Sequence, residues 1–231
     1  MPTALALARR AVVECRDCPR LVAYREEVAR TKRAAFRDET YWGRPVPGLG
    51  DPAARLLIVG LAPAAHGANR TGRMFTGDGV NGSGDFLMRA LFEEGFSNLP
   101  TSRSPDDGLV LRDAYVVAVA RCAPPDNKPT PEEINRCRRH LEAETDALPH
   151  VRVVVALGKL GFDGYLAAKK ARGILPEGVR PVFAHGATCP LSDGTTLLGS
   201  YHPSRQNTHT GRLTAAMLAS VFRTARRILD T

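Results

Sequence analysis

Three short, nearly unbroken apolar runs constrain this fold more than any other feature: "RLLIVGL" (55–61), "AYVVAVA" (114–120) and "VRVVVAL" (151–157). They are rich in β-branched residues and lack the polar alternation of a half-exposed strand. Strands buried on both faces read this way, as in parallel sheets. "TTLLGSYH" (195–202) is a fourth candidate and "PVFAH" (181–185) a weaker fifth. Helical patterns fall between them, at 82–96, 130–148, 158–171 and about 210–229. The second of these opens "TPEE", a capping box of Thr130 and Glu133 with Pro131 at the first helical position. Strand and helix alternate, so the expected fold is α/β, with a central, mainly parallel four-stranded sheet flanked by helices. Two more helical segments, 4–14 and 20–33, precede the sheet and are separated by "CRDCP" (15–19). With no repeat and no linker, residues 1–231 read as one domain. "YWGRPVPGLGDP" (41–52) reads as a loop, and 97–113 as a polar excursion over the surface.

Lys and Arg number 32 against 24 acidic residues, a net charge of +8. That excess points to a polyanionic partner, nucleic acid being the commonest, although many basic proteins bind none. No apolar run is long enough to cross a membrane, and the N-terminus lacks a signal-like charged start and cleavage site. A cytoplasmic protein with no membrane partner is expected. Five cysteines do not make an even disulfide set. Cys15 and Cys18 form a C-x-x-C pair, and Cys122 and Cys137 follow as distant singles, a grouping that looks like metal ligation. By spacing, zinc and an iron–sulfur cluster are equally open. Cys189 is left over as a free thiol.

In open α/β sheets ligands gather at the carboxyl ends of the strands. Three loops rich in Gly, Pro, Asn or Asp are expected there: "GLAPAAHGANRTGRMFTGDG" (60–79), "RCAPPDNKPTP" (121–131) and "YHPSRQNTHTGRLT" (201–214). Neither a dinucleotide fingerprint nor a P-loop is among them. Asn127 has the donor and acceptors needed to read a base edge. Phe75, an aromatic ring in a polar loop, suits base stacking or simple anchoring on the core. Asp78 suits a water or a cationic transition state, though a "GDG" turn alone explains an Asp. His202 suits a leaving group as well as it suits a structural role at a strand end.

These three loops, in this order and with the cysteine pattern, resemble the uracil-DNA glycosylase superfamily, and within it family 5, the type B enzymes. The resemblance runs from about Cys15 to the final helix. It implies base excision repair: hydrolysis of the N-glycosidic bond of uracil in DNA after base flipping, leaving an abasic site. It implies tolerance of other deaminated bases such as hypoxanthine. Carried over motif by motif, Leu61 and Ala62 supply backbone contacts at the pocket floor, Phe75 stacks on the base and Asn127 bonds its edge. His202 stabilises the leaving uracil, and Ser204, Arg205, Gln206, Asn207 and Thr208 hold the DNA backbone. The polar stretch at 201–214 is then polar because it meets phosphates and a disrupted stack. The four cysteines Cys15, Cys18, Cys122 and Cys137 become ligands of a [4Fe–4S] cluster that ties the N-terminal helices to the sheet.

One departure stands out. Superfamily relatives often place Asp, Asn or Glu just after the first strand to activate water, and here those positions are Leu61 and Ala62. Asp78 matches a family-5 Asp in the same loop and is the expected carboxylate. The expected enzyme is a monomer acting on DNA. The competing reading is a non-catalytic nucleic-acid-binding iron–sulfur protein. A metallohydrolase is disfavoured, because the six histidines show no metal-ligand spacing.

Overall fold

A computed structural model describes residues 1–77, 79–175 and 181–231. Six strands, β1 (Leu49–Gly50), β2 (Leu56–Gly60), β3 (Ala114–Ala118), β4 (Val153–Leu157), β5 (Thr188–Pro190) and β6 (Thr196–Ser200), form one sheet in the order β1-β3-β2-β4-β6-β5. The four expected strands are the parallel core, β3-β2-β4-β6. The expectation of four strands misses the two antiparallel edges, β1 on β3 and β5 on β6. The weak candidate at 181–185 is not among the described strands. Its chain turns over Gly199, where an added Cβ would lie 2.4 Å from the Ala184 carbonyl, and pairing begins only at Thr188, opposite Leu198.

The apolar runs are continuous because both faces of the sheet are covered. Val116, Ile58, Val155 and Leu198 lie in register across the sheet and face one core. Tyr115, Leu57, Val154 and Leu197, one residue earlier, face the other. Helices α4 (Ser83–Glu93) and α8 (Ala215–Leu229) cover the first face. Helices α1 (Ala4–Glu14), α5 (Pro131–Asp146) and α6 (Lys159–Ala171) cover the second. The capping box on α5 forms as expected, with Thr130 Oγ1 accepting from the Glu133 N–H and the Glu133 carboxylate accepting from the Thr130 N–H. Helix α2 (Pro19–Thr31) packs instead against the short α3 (Ala68–Thr71), which sequence periodicity does not reveal.

Segment 97–113 is more than a surface excursion. Ser97, Ser102, Leu109 and Leu111 are buried, and Ser97 bridges to Leu111. From β2 the chain crosses to β3 on one side, and from β4 it crosses to β6 on the other. The carboxyl ends of β2 and β4 therefore flank a topological switch point, the place where such sheets open a crevice.

Candidate active site

A cleft of about 820 Å³ opens at these strand ends. Leu61 and Ala62 leave β2 directly into its wall, and the pairing continues past the strand, with the Leu61 carbonyl accepting from the Ala120 N–H at 2.9 Å. Neither side chain has an acid to offer, so the fold supplies no carboxylate at these two positions.

Phe75 lies against the end of β2, where a Cβ added to Gly60 would sit 3.1 Å from its ring. Its backbone is left-handed, φ 51°, which a bulky side chain rarely adopts without cause. The cause is visible. Gly84, in the first turn of α4, comes so close that a Cβ there would sit 2.2 Å from the Phe75 carbonyl oxygen. Arg73 clamps the same loop: it donates to Thr76 Oγ1 (2.8 Å) and the Pro105 carbonyl (3.1 Å), and pairs with Asp107 (2.7 Å). Thr76 and Ser102 hydroxyls share a 2.7 Å bond, and the Ser102 N–H donates to Asp85. Segment 97–113 thus holds the loop that aims Phe75. Sequence reasoning misses Arg73, Thr76, Ser102 and Asp107, since nothing in their spacing announces a network between distant loops.

Asn127 ends a 3-10 turn, Pro125–Asn127, at the exposed rim of the cleft. Asp126 and Asn127 are both left-handed, φ 52° and 56°. Pro124 and Pro125 stiffen the approach, and Asp and Asn tolerate this region better than most residues. The backbone that carries the Asn127 amide is therefore set before any ligand arrives.

His202 follows β6. Its ring lies offset-stacked toward Phe75, centroids 6.0 Å apart and planes 29° off parallel. Burial lowers its pKa to about 4, so at neutral pH it is an uncharged imidazole. The Asn207 side chain donates to the His202 carbonyl at 2.9 Å and fixes the turn.

The polar stretch after it is not all loop. Residues Arg205–His209 form a short helix, α7, capped by the Ser204 hydroxyl, which accepts from the Asn207 N–H. Thr208 bonds back to the Ser204 carbonyl. Asn207 and Thr208 therefore build the turn, whereas Arg205 and Gln206 are exposed and Ser204 and Arg205 line the cleft. Asp78 lies outside the described residues. Leu61, Ala62, Phe75, Asn127, His202, Ser204 and Arg205 thus come together in one cleft. His66, within "AAHG", lines the same wall with Tyr24, Arg33 and Phe36 from the N-terminal region. His66 belongs to the first of the three loops, whereas no spacing in the sequence ties Tyr24, Arg33 and Phe36 to the site.

The four paired-and-single cysteines meet elsewhere. Cys15, Cys18, Cys122 and Cys137 line one small void of about 20 Å³ between the α1–α2 junction and the β3–α5 connection. Among the described residues no group of three or more His, Cys, Asp or Glu side chains is gathered to hold a metal ion. The thiols stand around the void instead of closing on a point. Cationic donors surround them. The Arg25 guanidinium, 2% exposed, donates to Cys122 Sγ at 2.8 Å and that of Arg139 to Cys15 Sγ at 3.7 Å, while the Arg121 backbone N–H donates to Cys137 Sγ at 3.3 Å. Arg25 Nε, Arg121 Nε and Nη1, and His140 Nε2 are buried there without a partner. Burial pushes the Cys122 thiol up to about 11 and the Cys137 thiol to about 12. Cys189, on the edge strand β5, does not line the void.

The model of the uracil-DNA glycosylase superfamily matches residues 47–226. A type-5 uracil-DNA glycosylase of Thermus thermophilus is 55% identical over 214 residues, 93% of this chain and 93% of its own. The type-5 enzyme of Mycobacterium tuberculosis is 52% identical over 93% of this chain and 78% of its own, and that of Pyrobaculum aerophilum 46% over 93% and 88%. The stretch matched by the family model holds the whole parallel sheet, most of the cleft lining, Phe75, Asn127 and His202, and the chain belongs to the uracil-DNA glycosylase superfamily.

Proposed function

We propose that this protein excises uracil from DNA, and with lower selectivity other deaminated bases such as hypoxanthine, by base flipping and hydrolysis. The observation that carries this reading is the meeting, in one cleft, of Phe75, Asn127 and an uncharged His202. A flipped uracil stacks on the Phe75 ring and is read on its edge by Asn127. The C1′–N1 bond breaks heterolytically, its electron pair leaving with the base. His202 donates an N–H to the oxygen where that charge develops, a hydrogen bond that strengthens in the transition state. Water adds to C1′ and loses a proton. With Leu61 and Ala62 apolar, Asp78 is our candidate for the carboxylate that steadies the sugar cation or orients the water. Ser204, Arg205 and Gln206 would hold the phosphates beside the vacated stack, while Asn207 and Thr208 shape that turn.

Four thiolates at Cys15, Cys18, Cys122 and Cys137 would hold a [4Fe–4S] cluster. The fit rests on the donor set and on the orphaned guanidinium and imidazole groups around the void, which an anionic cluster with thiolate ligands would satisfy. When bound, the cluster supplies iron–thiolate bonds that cross-link the N-terminal helices to the sheet; base excision itself transfers no electron. The same reading has the enzyme acting as a cytoplasmic monomer. Its cysteines are all unpaired, and no described helix is long and apolar enough to cross a membrane.

The test is incubation with a labelled uracil-containing duplex followed by alkali. Strand cleavage at the uracil position, absent from a thymine control, is expected. Tight binding without any abasic site would overturn the enzymatic reading in favour of a binding module.

A further inference from the structure

The cleft extends well beyond what one base requires, and its far wall comes from the N-terminal region. There Arg33, between α2 and the 3-10 turn Ala34–Phe36, lines the cleft beside His66. Three hydrogen-bonding groups run in series. The Arg33 backbone N–H donates to Tyr41 Oη at 3.4 Å, and Tyr41 Oη meets His66 Nδ1 at 3.1 Å. Tyr41 thereby ties the His66 ring in place, and His66 lines the cleft.

Burial first, then the charges of Arg33 and Arg70, lower the His66 pKa, so a neutral donor stands next to a cation. The two arginines differ. Arg70 is committed: it pairs with Glu39, donates to the His66 and Gly77 carbonyls and covers the Phe36 ring at 4.0 Å. Arg33 is exposed, and among the described residues its guanidinium makes no hydrogen bond or ion pair. The wall beneath it is firm. The Trp42 and Gly43 N–H groups donate to the Arg70 and Asn69 carbonyls, and the buried Asn69 side chain donates to the Arg25 carbonyl of α2.

We propose that Arg33 and His66, in the tautomer in which Tyr41 donates to Nδ1 and Nε2 carries the proton, form a second phosphate-binding lip in the cleft that Arg205 also lines. An extruded nucleotide has a phosphate on each side, so a strand that feeds its base into the cleft must cross both lips. Arg205 serves one and Arg33 with His66 the other. This rests on the DNA reading above and joins Arg33, from outside the three motif loops, to His66 of the first.

The test is the salt dependence of binding to a labelled duplex carrying 2′-fluoro-2′-deoxyuridine, whose glycosidic bond resists cleavage. Removing one cationic partner of a phosphate reduces the slope of log K against log salt by about 0.9. Arg33→Gln is expected to reduce it by that amount, as is Arg205→Gln. His66→Gln is expected to weaken binding severalfold with the slope unchanged, because the imidazole is neutral. Arg10→Gln, which removes the same charge from exposed α1, is expected to leave slope and affinity at the wild-type values. A wild-type slope for Arg33→Gln, or an equal fall for Arg10→Gln, would overturn the lip. If the wild-type protein neither binds the duplex nor excises uracil, the DNA reading itself fails, a result distinct from failure of the lip alone.

Discussion

His202 offers the sharpest test of the chemistry, because two mechanisms for it differ in pH and in leaving group. A protonated imidazole would act as a general acid; a neutral one acts as a hydrogen-bond donor. Burial lowers the pKa from 6.5 to about 4, which disfavours the charged form by roughly 3 kcal/mol. At pH 7 only about one molecule in a thousand carries the imidazolium, by the same arithmetic. The neutral donor is therefore the role proposed for it. Removing one preorganised donor to a developing anion costs about 10²–10³ in rate. His202→Ala is expected to slow single-turnover excision of uracil by that factor. The ratio of wild-type to variant rates should stay constant from pH 5 to pH 8, since the side chain does not titrate there. The deficit should shrink with 5-fluorouracil, whose anion needs less help. The assay is quenched single-turnover kinetics on duplexes with either base at several pH values. A rate ratio that rises as pH falls through 6.5 would show an imidazolium at work and refute the burial argument. Equal deficits on both bases would refute the leaving-group role.

Asp78→Ala is expected to slow uracil and 5-fluorouracil by similar factors, since the sugar cation and water are common to both; a rate within about threefold of wild type, well short of the usual loss of a stabiliser, would remove it from the mechanism. Anaerobically purified protein should be brown with about four iron per chain, and stoichiometric zinc without iron would exclude the cluster. Arg73→Ala leaves a nearly buried Asp107 without its partner, the two side chains being 10% and 17% exposed. Asp107 keeps the Arg103, Ser104 and Leu109 N–H donors, so the loss should be about 1–2 kcal/mol by denaturant titration, and substrate binding should weaken as Phe75 is freed, whereas unchanged affinity would show that the clamp does not set the Phe75 loop. Stability should also depend on pH. His202 has a folded pKa below its unfolded value, so its contribution is complete above about pH 6.5 and is lost as pH falls toward 4. Thermal melts of His202→Gln should lose less over that window than those of wild type.

The parallel core is legible in the sequence because burial on both faces leaves a mark in every residue of a strand: "RLLIVG", "YVVAV" and "VVVAL" have no polar face to confuse them. The amphipathic helices are legible through their stripes and, for α5, through Thr130 and Glu133. Short elements are not. Strands β1 and β5 have two and three residues, too few for a period, and they exist because a neighbouring edge offers hydrogen bonds. Helices α3 and α7 are specified by caps and by what they pack on, so the polar stretch around Arg205 reads as loop. For the site, Phe75, Asn127 and His202 stand out through their loops; His66 shares the loop of Phe75, whereas Arg33 lies outside all three. Their joint position depends on α2 docking against α3, a contact between segments with no shared pattern.

The left-handed residues of the site show where such reading stops. At Asp126 and Asn127 the cause is local: two prolines precede residue types that tolerate positive φ, and all four letters are adjacent in the sequence. At Phe75 no neighbour explains the conformation, and a left-handed phenylalanine costs about 1–3 kcal/mol unless the surroundings enforce it. The enforcement comes from Gly84, which lets α4 approach, and from Arg73, Thr76, Ser102 and Asp107, which join the loop to a segment some thirty residues away. The Phe75 ring is thus held by residues outside the cleft lining. Substitutions in 97–113 should then alter the site while leaving the sheet intact, and the polarity that makes this segment look like a surface loop is the polarity with which it holds Phe75 in place.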